Sequence, residues 1–204
     1  LGHRPERPAG AAPPRWWPDW RDRRVWRLGL LMGCVNATYF GLNGFLPGSL
    51  TAAHAPDLVR PALTALNLAQ LPASLLMLVL AGRLARRSAA YGGAGALLLA
   101  AVLGCMTMPG PAAVAWAGLA GFAAATLLTL ALALPSLLGA AEDVPRLAAA
   151  MFTVSYGLSV ATALLAGKLW GASGAAAMAF LPFVLAALAV TLLGATLRLH
   201  PPRP

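Results

Sequence analysis

Residues 88–141 read SAAYGGAGALLLAAVLGCMTMPGPAAVAWAGLAGFAAATLLTLALALPSLLGAA, and this stretch contains no Asp, Glu, Lys or Arg. A helix rises ~1.5 Å per residue and needs roughly 20 residues to cross a ~30 Å hydrocarbon core. The stretch is therefore long enough for two membrane spans. The sequence Pro109-Gly110-Pro111 divides it, because proline removes a backbone donor and disfavours helix in the residue before it.

Two further uncharged stretches, 28–56 and 169–197, lie on either side of this one. The chain of 204 residues is 59% apolar and 10% charged, and its mean hydropathy is +0.73. A soluble core of this size could not bury so much apolar surface, which indicates a lipid surrounding. Lipid offers the backbone no hydrogen bonds, so the backbone must bond within helices. We predict an all-α, polytopic membrane helical bundle. Its six transmembrane helices are expected near residues 26–49, 61–82, 89–108, 112–138, 146–168 and 174–197.

The basic residues are distributed unevenly among the segments that join these spans. If the amino end is cytoplasmic, thirteen arginines lie in inner segments, and the outer segments carry only Arg60 and Lys168. This distribution is the positive-inside bias of a multi-pass protein. We expect both termini in the cytoplasm and the helices in a plasma (inner) membrane. The excess of Arg over Lys and the abundance of Ala favour a bacterial source. The net charge of +9 is better explained by the orientation of the chain in the membrane than by binding to nucleic acid.

The ends of the chain differ in composition from its middle. Residues 1–25 are rich in Pro, Arg and Trp, and we predict a cytoplasmic linker that ends in an interfacial segment. Tryptophan interleaved with arginine is typical of the lipid headgroup layer. Residues 26–198 form the predicted six-helix unit and residues 199–204 a cytoplasmic tail. Because the chain begins with Leu1 and a linker-like segment, we expect six further hydrophobic spans to precede it in a longer protein.

Two short patterns recur at nearly equal spacing in the two halves of the chain. Leu46-Pro47 ends the first span, and Leu134-Pro135 comes near the end of the fourth. Residues 81–84, AGRL, close the second span, and residues 166–169, AGKL, close the fifth. Because three spans separate the copies, each pair lies on opposite sides of the membrane. We predict two inverted three-helix repeats.

Polar side chains are concentrated in the first, second, fourth and fifth spans, and the third and sixth are nearly bare. Since polar groups avoid lipid, the four polar spans are expected to face protein or water. The third and sixth spans are expected to face lipid. Asn36, Tyr39 and Asn43 share one helix face, and so do Asn67 and Gln70. These groups either line a cavity or hold helices together. The candidate substrate-binding residues are Asn36, Tyr39, Asn43, Asn67, Gln70, Thr129 and Tyr156.

The first two spans also carry family-like motifs. Residues 39–47, YFGLNGFLP, and residues 70–75, QLPASL, are similar to the seventh and eighth helices of one group of transporters. On these motifs the chain resembles the carboxyl half of a major facilitator superfamily transporter, most closely the cyanate permease and nitroimidazole transporter group. The resemblance covers about residues 22–198.

The loop after the second span resembles the superfamily motif G-x-L-A-D-R-x-G-R. Gly82, Leu84, Ala85 and Arg87 match it, but Arg86 stands where the family has Asp, and the later Gly is absent. The resemblance implies a conformational role for this loop. A plain, positively charged inner loop explains the same residues equally well.

The resemblance implies alternating-access transport of a small anion or a small organic compound, bound between two six-helix halves. The partner would then be an amino-terminal six-helix half, in the same longer chain or in another protein. The alternative is a six-helix channel or a membrane subunit that mediates interactions without transport. An enzyme is not expected, because no Asp, Glu or His lies in a predicted span core. No cofactor or metal is expected, since Cys34 and Cys105 lack metal-ligand spacing.

Overall fold

The computed structural model describes residues 17–108, 110–140 and 142–197, and these residues form helices without any strand. Most of the predicted linker and all of the predicted tail lie outside the described residues. Two 3-10 turns, Pro56–Leu58 and Ala176–Phe180, lie at the starts of the second and last spans. The helices are α1 (Arg23–Ala52), α2 (Val59–Leu68), α3 (Gln70–Leu84), α4 (Ser88–Thr107), α5 (Pro111–Leu138), α6 (Val144–Ser173) and α7 (Leu181–Ala195).

Five helical segments in the described residues are long and apolar enough to cross a membrane. They are Pro56–Leu84, which contains α2 and α3, then α4, α5, α6, and Ala176–Ala195, which contains α7. The all-helical membrane fold agrees with the prediction. The helix α1 is not among the five, because Asn36, Tyr39 and Asn43 lower the hydropathy of its middle. The sixth span and the repeat arrangement therefore stay predictions.

Two clusters of buried side chains show which helix ends lie together. One joins the start of α1 to the ends of α3, α5 and α7 and to the starts of α4 and α6. The other joins the end of α1 to the starts of α2, α5 and α7 and to the ends of α4 and α6. Successive passes therefore run in opposite directions. The first end carries arginines of α1, of the α3–α4 loop and of α6, and we call it the arginine-rich end.

Two arginines of α1 hold the arginine-rich end together. Arg24 Nη1 donates to the carbonyl oxygen of Leu138, the last residue of α5, at 3.0 Å. Arg27 donates to the carbonyl and hydroxyl oxygens of Thr196, just after α7. The last carbonyls of a helix have no partner within it, and a cation there also interacts favourably with the helix dipole. The first turns of α1 thus supply donors to the ends of two other helices.

The second predicted span is divided in the structure. Ala69 separates α2 from α3, although its backbone keeps right-handed helical dihedral angles. Pro72 has no N–H to donate to the Leu68 carbonyl, and the next bond, from Ala73 N to Ala69 O, is long at 3.4 Å. Gln70 is the first residue after this division. The proline therefore weakens the helix near the middle of the span.

Glycines let several helices approach closely. A Cβ on Gly121 of α5 would overlap the carbonyl oxygen of Leu66 in α2, and one on Gly95 of α4 would lie 2.8 Å from Thr191 Cα in α7. Contacts at this range bring backbones together without a side chain between them, as in many membrane helix pairs. The predicted division between α4 and α5 is also present, since α4 ends at Thr107 and α5 begins at Pro111, and Gly110 has φ +112°, a value that favours glycine.

Replacing Gly121 with Ala tests the approach of α5 to α2. We expect Gly121→Ala to lower the free energy of unfolding by about 1–3 kcal/mol, because the added methyl meets backbone that cannot move aside. Gly157→Ala in α6 is the matched control, since a Cβ there meets no atom within 4 Å. We expect it to raise stability by about 0.5–1 kcal/mol. Unfolding in detergent micelles measures both, and equal effects would contradict the packing.

The alternation of the passes predicts opposite sidedness for two loops. Asp57 and Arg86 are exposed and lie at opposite ends of the bundle. In a chain without Cys34 and Cys105, single cysteines at Asp57 and Arg86 are expected to react with an impermeant maleimide from opposite sides of the membrane. We expect the cysteine at Arg86 to be labelled from the cytoplasm. Labelling of both from one side would contradict the topology.

Candidate functional site

A cavity of about 160 Å³ lies near the middle of the bundle. Four helices form its wall: α1, α3, α5 and α6. Neither α4 nor α7 contributes a lining residue, and none of the described residues around the cavity is charged. The lining residues are Met32, Val35, Asn36, Tyr39, Phe40, Gln70, Ala124, Ala125, Leu128, Leu132, Phe152 and Tyr156.

A chain of hydrogen bonds links the predicted polar residues of α1 to those at the division between α2 and α3. The Tyr39 hydroxyl donates to Asn67 Oδ1 at 2.6 Å and accepts from Gln70 Nε2 at 2.9 Å. Asn67 Nδ2 donates to Asn43 Oδ1 at 3.1 Å. Asn43 and Asn67 therefore do not line the cavity themselves, but they orient Tyr39 and Gln70, which do.

Two backbone carbonyls set the direction of every bond in this chain. Asn67 Nδ2 also donates to the Leu63 carbonyl at 2.8 Å, and Asn43 Nδ2 donates to the Tyr39 carbonyl at 2.9 Å. A carbonyl only accepts, so each asparagine must present its Oδ1 to the next partner. The Tyr39 hydroxyl must then give its proton to Asn67 and accept from Gln70. The amide nitrogen of Gln70 is thus used, and its Oε1 receives no hydrogen bond from any described residue.

Asn36 makes a separate bond across the helices. Its Nδ2 donates to Ser155 Oγ on α6 at 2.8 Å, and both residues are buried. Within the described part of the chain nothing donates to Asn36 Oδ1. Because no fully buried side-chain oxygen or nitrogen in that part lacks a partner, this oxygen is accessible, and the cavity is the space that Asn36 lines. The cavity therefore presents two open amide oxygens, on Asn36 and Gln70.

Aromatic rings form the other wall of the cavity. The rings of Phe152 and Tyr156 stack with centroids 6.2 Å apart, and those of Phe40 and Tyr156 with centroids 6.4 Å apart. Tyr39 contacts Phe40 at 5.4 Å. These separations are within the favourable range for aromatic pairs. We call Phe40, Phe152 and Tyr156 the aromatic wall.

Of the three rings of the aromatic wall, only Tyr156 is among the predicted binding residues, because Phe40 and Phe152 carry no polar group. The spacing of Phe152 and Tyr156, four residues apart on one helix, was the signal that could have revealed the pair. The contact of Phe40 with Tyr156 joins α1 to α6, and no local pattern gives it.

Of the predicted substrate-binding residues, Asn36, Tyr39, Gln70 and Tyr156 line the cavity. Thr129 does not. Its hydroxyl donates to the Ala125 carbonyl of its own helix at 2.9 Å, which satisfies the group without reaching the cavity. None of the loop-motif residues lines the cavity. Gly82 and Leu84 lie in the last turn of α3, and Ala85 and Arg87 lie in the loop before α4.

The loop between α3 and α4 has no side-chain cap. Arg87 occupies the N-cap position of α4 and makes no capping hydrogen bond with its side chain. An Asp before a helix would accept from the free N–H groups there, whereas arginine offers only donors. The Ala85 carbonyl instead accepts a hydrogen bond from the buried Tyr91 hydroxyl at 3.1 Å. This loop is therefore tied to α4 by Tyr91.

Comparisons of this chain with protein-family profiles, with curated proteins and with solved structures gave no match.

Removing Asn67 tests the directed chain of hydrogen bonds. Asn67→Leu deprives Tyr39 of its acceptor and Asn43 of its donor, and we expect it to lower the free energy of unfolding by about 1–2 kcal/mol. The control is Thr64→Val, an exposed position one turn earlier in α2. We expect its effect to stay within about 0.5 kcal/mol. Equal unfolding curves for the two variants in detergent would contradict the network.

Proposed function

We propose that this chain is one half of a membrane transporter for a small solute. Its uncharged cavity is the half-site for that solute, and α1, α3, α5 and α6 line the path. The observation that carries the proposal is the directed chain of hydrogen bonds ending on the cavity wall at Gln70. Packing alone requires no open acceptors in a bundle, whereas a binding site does.

The position of the cavity supports transport over a purely structural role. Gln70 lies near the middle of the span Pro56–Leu84, and the lining residues of α1 and α5 are also central in their helices. Solute sites in secondary transporters lie near the bilayer midplane, beside helices that are interrupted there. The division at Ala69 is directly beside Gln70. A weakened helix and a polar cavity thus occur at the same depth.

The distribution of exposed surface supports a second half as the partner. The spans Pro56–Leu84 and Val144–Ser173 are the least buried of the five apolar segments, and both contain residues of the cavity wall. Exposed apolar side chains continue along these two spans on either side of the cavity: Leu71, Leu75, Leu78, Val160, Leu164 and Leu165. An amino-terminal six-helix half seated on this face would close the cavity into a central path.

The helix packing supports the inverted repeat. The helix α1 packs on α6 and α7, while α5 packs on α2, α3 and α4, and α4 packs on α7. These are the pairs expected if α1, α2–α3 and α4 correspond to α5, α6 and α7. The prolines of the Leu-Pro pair also lie in corresponding helices, since Pro47 is inside α1 and Pro135 is inside α5. The arginine-rich end then faces the cytoplasm, in an inner membrane.

Uptake by the protein in full tests the proposal. In bacterial cells, uptake of radiolabelled cyanate, benzoate and benzamide is compared with that of cells lacking the protein. For a solute that is taken up, we expect Tyr39→Phe and Asn43→Ala to lower uptake per molecule by about 2- to 10-fold, the effect of one hydrogen bond. Membrane abundance is expected to stay near normal.

Tyr91→Phe is the matched control for Tyr39→Phe. The Tyr91 hydroxyl is buried away from the cavity and donates to the Ala85 and Leu130 carbonyls. Its loss is expected to lower the melting temperature in detergent and leave uptake per molecule unchanged. Equal uptake per molecule in all variants, or no uptake of any of the three solutes, would overturn the proposal.

A further inference from the structure

We propose that the arginine-rich end binds one anionic phospholipid, whose phosphate pairs with Arg24 and Arg27. This binding does not require the proposed transport function, because it depends only on the membrane fold. Three properties of this end carry the proposal: a cavity lined by both arginines, guanidinium donors that no described residue uses, and an apolar outer surface beside them.

A second cavity, of about 170 Å³, lies at the arginine-rich end, where α1 meets the last residues of α5 and α7. Two of its lining residues are Arg24 and Arg27, which are three residues apart on α1 and therefore neighbours on its surface. Leu28, Leu138 and Leu197 complete the lining, and none of these described residues is acidic. Two cations beside apolar side chains suit a ligand that is anionic at one end and apolar at the other.

Both guanidinium groups keep hydrogen-bond donors for a ligand, since each carries five N–H donors. Arg27 uses Nη2 for the carbonyl and hydroxyl oxygens of Thr196, and no described residue accepts from its Nε or Nη1. Arg24 uses Nε for Asp22 and Nη1 for the Leu138 carbonyl, and its Nη2 has no acceptor among the described residues. A phosphate supplies several acceptor oxygens, and it pairs with arginine in a bidentate geometry. Helix capping accounts for the bonds already made but not for these remaining donors.

The charge of Arg27 has no counter-ion within the described chain. The ion pairs of that part join Arg24 to Asp22 and Arg146 to Asp143, each at 2.9 Å, and neither includes Arg27. Arg27 is nonetheless only partly exposed. A partly desolvated cation is stabilised by an anion from its surroundings. In the predicted orientation those surroundings are the cytoplasmic leaflet, whose anionic lipids attract basic residues.

The surface beside the cavity is suited to acyl chains. Trp26 is 48% exposed, and Leu30, one turn later on the same side of α1, is 38% exposed. On α7, the exposed Leu192 comes one turn before Thr196, the partner of Arg27. Exposed tryptophan beside exposed leucine is typical of the boundary between headgroups and acyl chains. A lipid held at Arg27 can therefore lay its chains along these side chains, which a soluble phosphate cannot use.

Three probes separate a lipid from other anions. Dioleoyl phosphatidylglycerol is the anionic lipid, and dioleoyl phosphatidylcholine has the same chains without a net charge. Glycerol 3-phosphate has the phosphate without the chains and is added as a competitor. Binding to the purified protein in full, in detergent, is measured by native mass spectrometry. We expect one phosphatidylglycerol to bind at least about tenfold more tightly than phosphatidylcholine, whose choline cation would lie close to both arginines. Glycerol 3-phosphate is expected not to displace it.

Arg27→Gln tests the site against a matched control, Arg86→Gln. Each variant removes one positive charge from the arginine-rich end, but Arg86 is exposed in the α3–α4 loop and does not line the cavity. We expect the affinity for phosphatidylglycerol to fall about 5- to 50-fold in Arg27→Gln, because charge-assisted hydrogen bonds are lost. The fall in Arg86→Gln is expected to be about twofold or less, since salt screens an exposed charge. Arg27→Lys keeps the charge without the planar fork, and we expect an intermediate fall.

Thr196→Val separates lipid binding from the packing of α1 on α7. It removes the hydroxyl that accepts from Arg27 and leaves Arg27 in place. We expect a lower melting temperature in detergent, with an affinity for phosphatidylglycerol within about twofold of that of the unchanged protein.

Four outcomes would overturn the proposal. Equal affinities in Arg27→Gln and Arg86→Gln would indicate a diffuse attraction between charges, and equal binding of the two lipids would exclude recognition of the anion. Displacement by glycerol 3-phosphate would assign the cavity to a soluble phosphate. An equal loss in Thr196→Val and Arg27→Gln would show that the affinity follows helix packing. None of these outcomes depends on uptake, so the proposed transport function stands or fails separately.

Discussion

Polar groups inside this bundle have to find their partners within the protein, because a hydrocarbon surrounding offers none. Hydroxyl groups meet this requirement locally. Thr38, Thr126 and Thr162 each donate to a carbonyl four residues earlier in their own helix. Amides are different, because each carries two donors and an acceptor. Asn43 and Asn67 each donate one N–H to a carbonyl four residues earlier in their own helix, but their oxygens need donors from elsewhere. The asparagines and Gln70 therefore also bond across helices, and these bonds join α1 to α2, α3 and α6.

The bonds across helices require close and specific packing. Gly29 and Gly33 of α1 lie against Val154 and Ser155 of α6, where an added Cβ would come within about 3 Å of atoms in the neighbouring helix. One turn after Gly33 comes Asn36, and at this separation its amide reaches Ser155 directly. Larger side chains follow in both helices, Phe40 in α1 and Tyr156 in α6. The cavity opens where the small residues give way to these rings.

A network of this kind stabilises the bundle and also orients the groups of the proposed site. Each bond in the chain from Asn43 to Gln70 fixes the next, so the last member is held in one orientation without being saturated. A site with its polar atoms fixed in advance loses less entropy when it binds a solute. The open oxygens of Asn36 and Gln70 are exceptions to the rule that polar groups in a bundle are paired. Such an exception calls for a functional explanation.

Much of the fold was readable from the sequence by itself. The uncharged run from Ser88 to Ala141 and the proline pair at residues 109 and 111 predicted α4 and α5 nearly to their bounds, Ser88–Thr107 and Pro111–Leu138. Charge and hydropathy are local properties, and a helix that must satisfy its own backbone follows from them directly. The helical repeat likewise gave the shared face of Asn36, Tyr39 and Asn43.

The tertiary structure alone decided which of these faces meet and which groups remain open. Periodicity gives one face of one helix and leaves open how that helix is rotated against its neighbours. The bond from Tyr39 to Asn67 and the stacking of Phe40 on Tyr156 therefore could not be predicted, nor could the turning of Thr129 away from the cavity. Whether Gln70 is left with an acceptor or a donor depends on the two backbone carbonyls that orient the asparagines, those of Leu63 and Tyr39. That dependence is a property of the packed bundle, because it exists only when the side chains of Tyr39, Asn43, Asn67 and Gln70 are in contact.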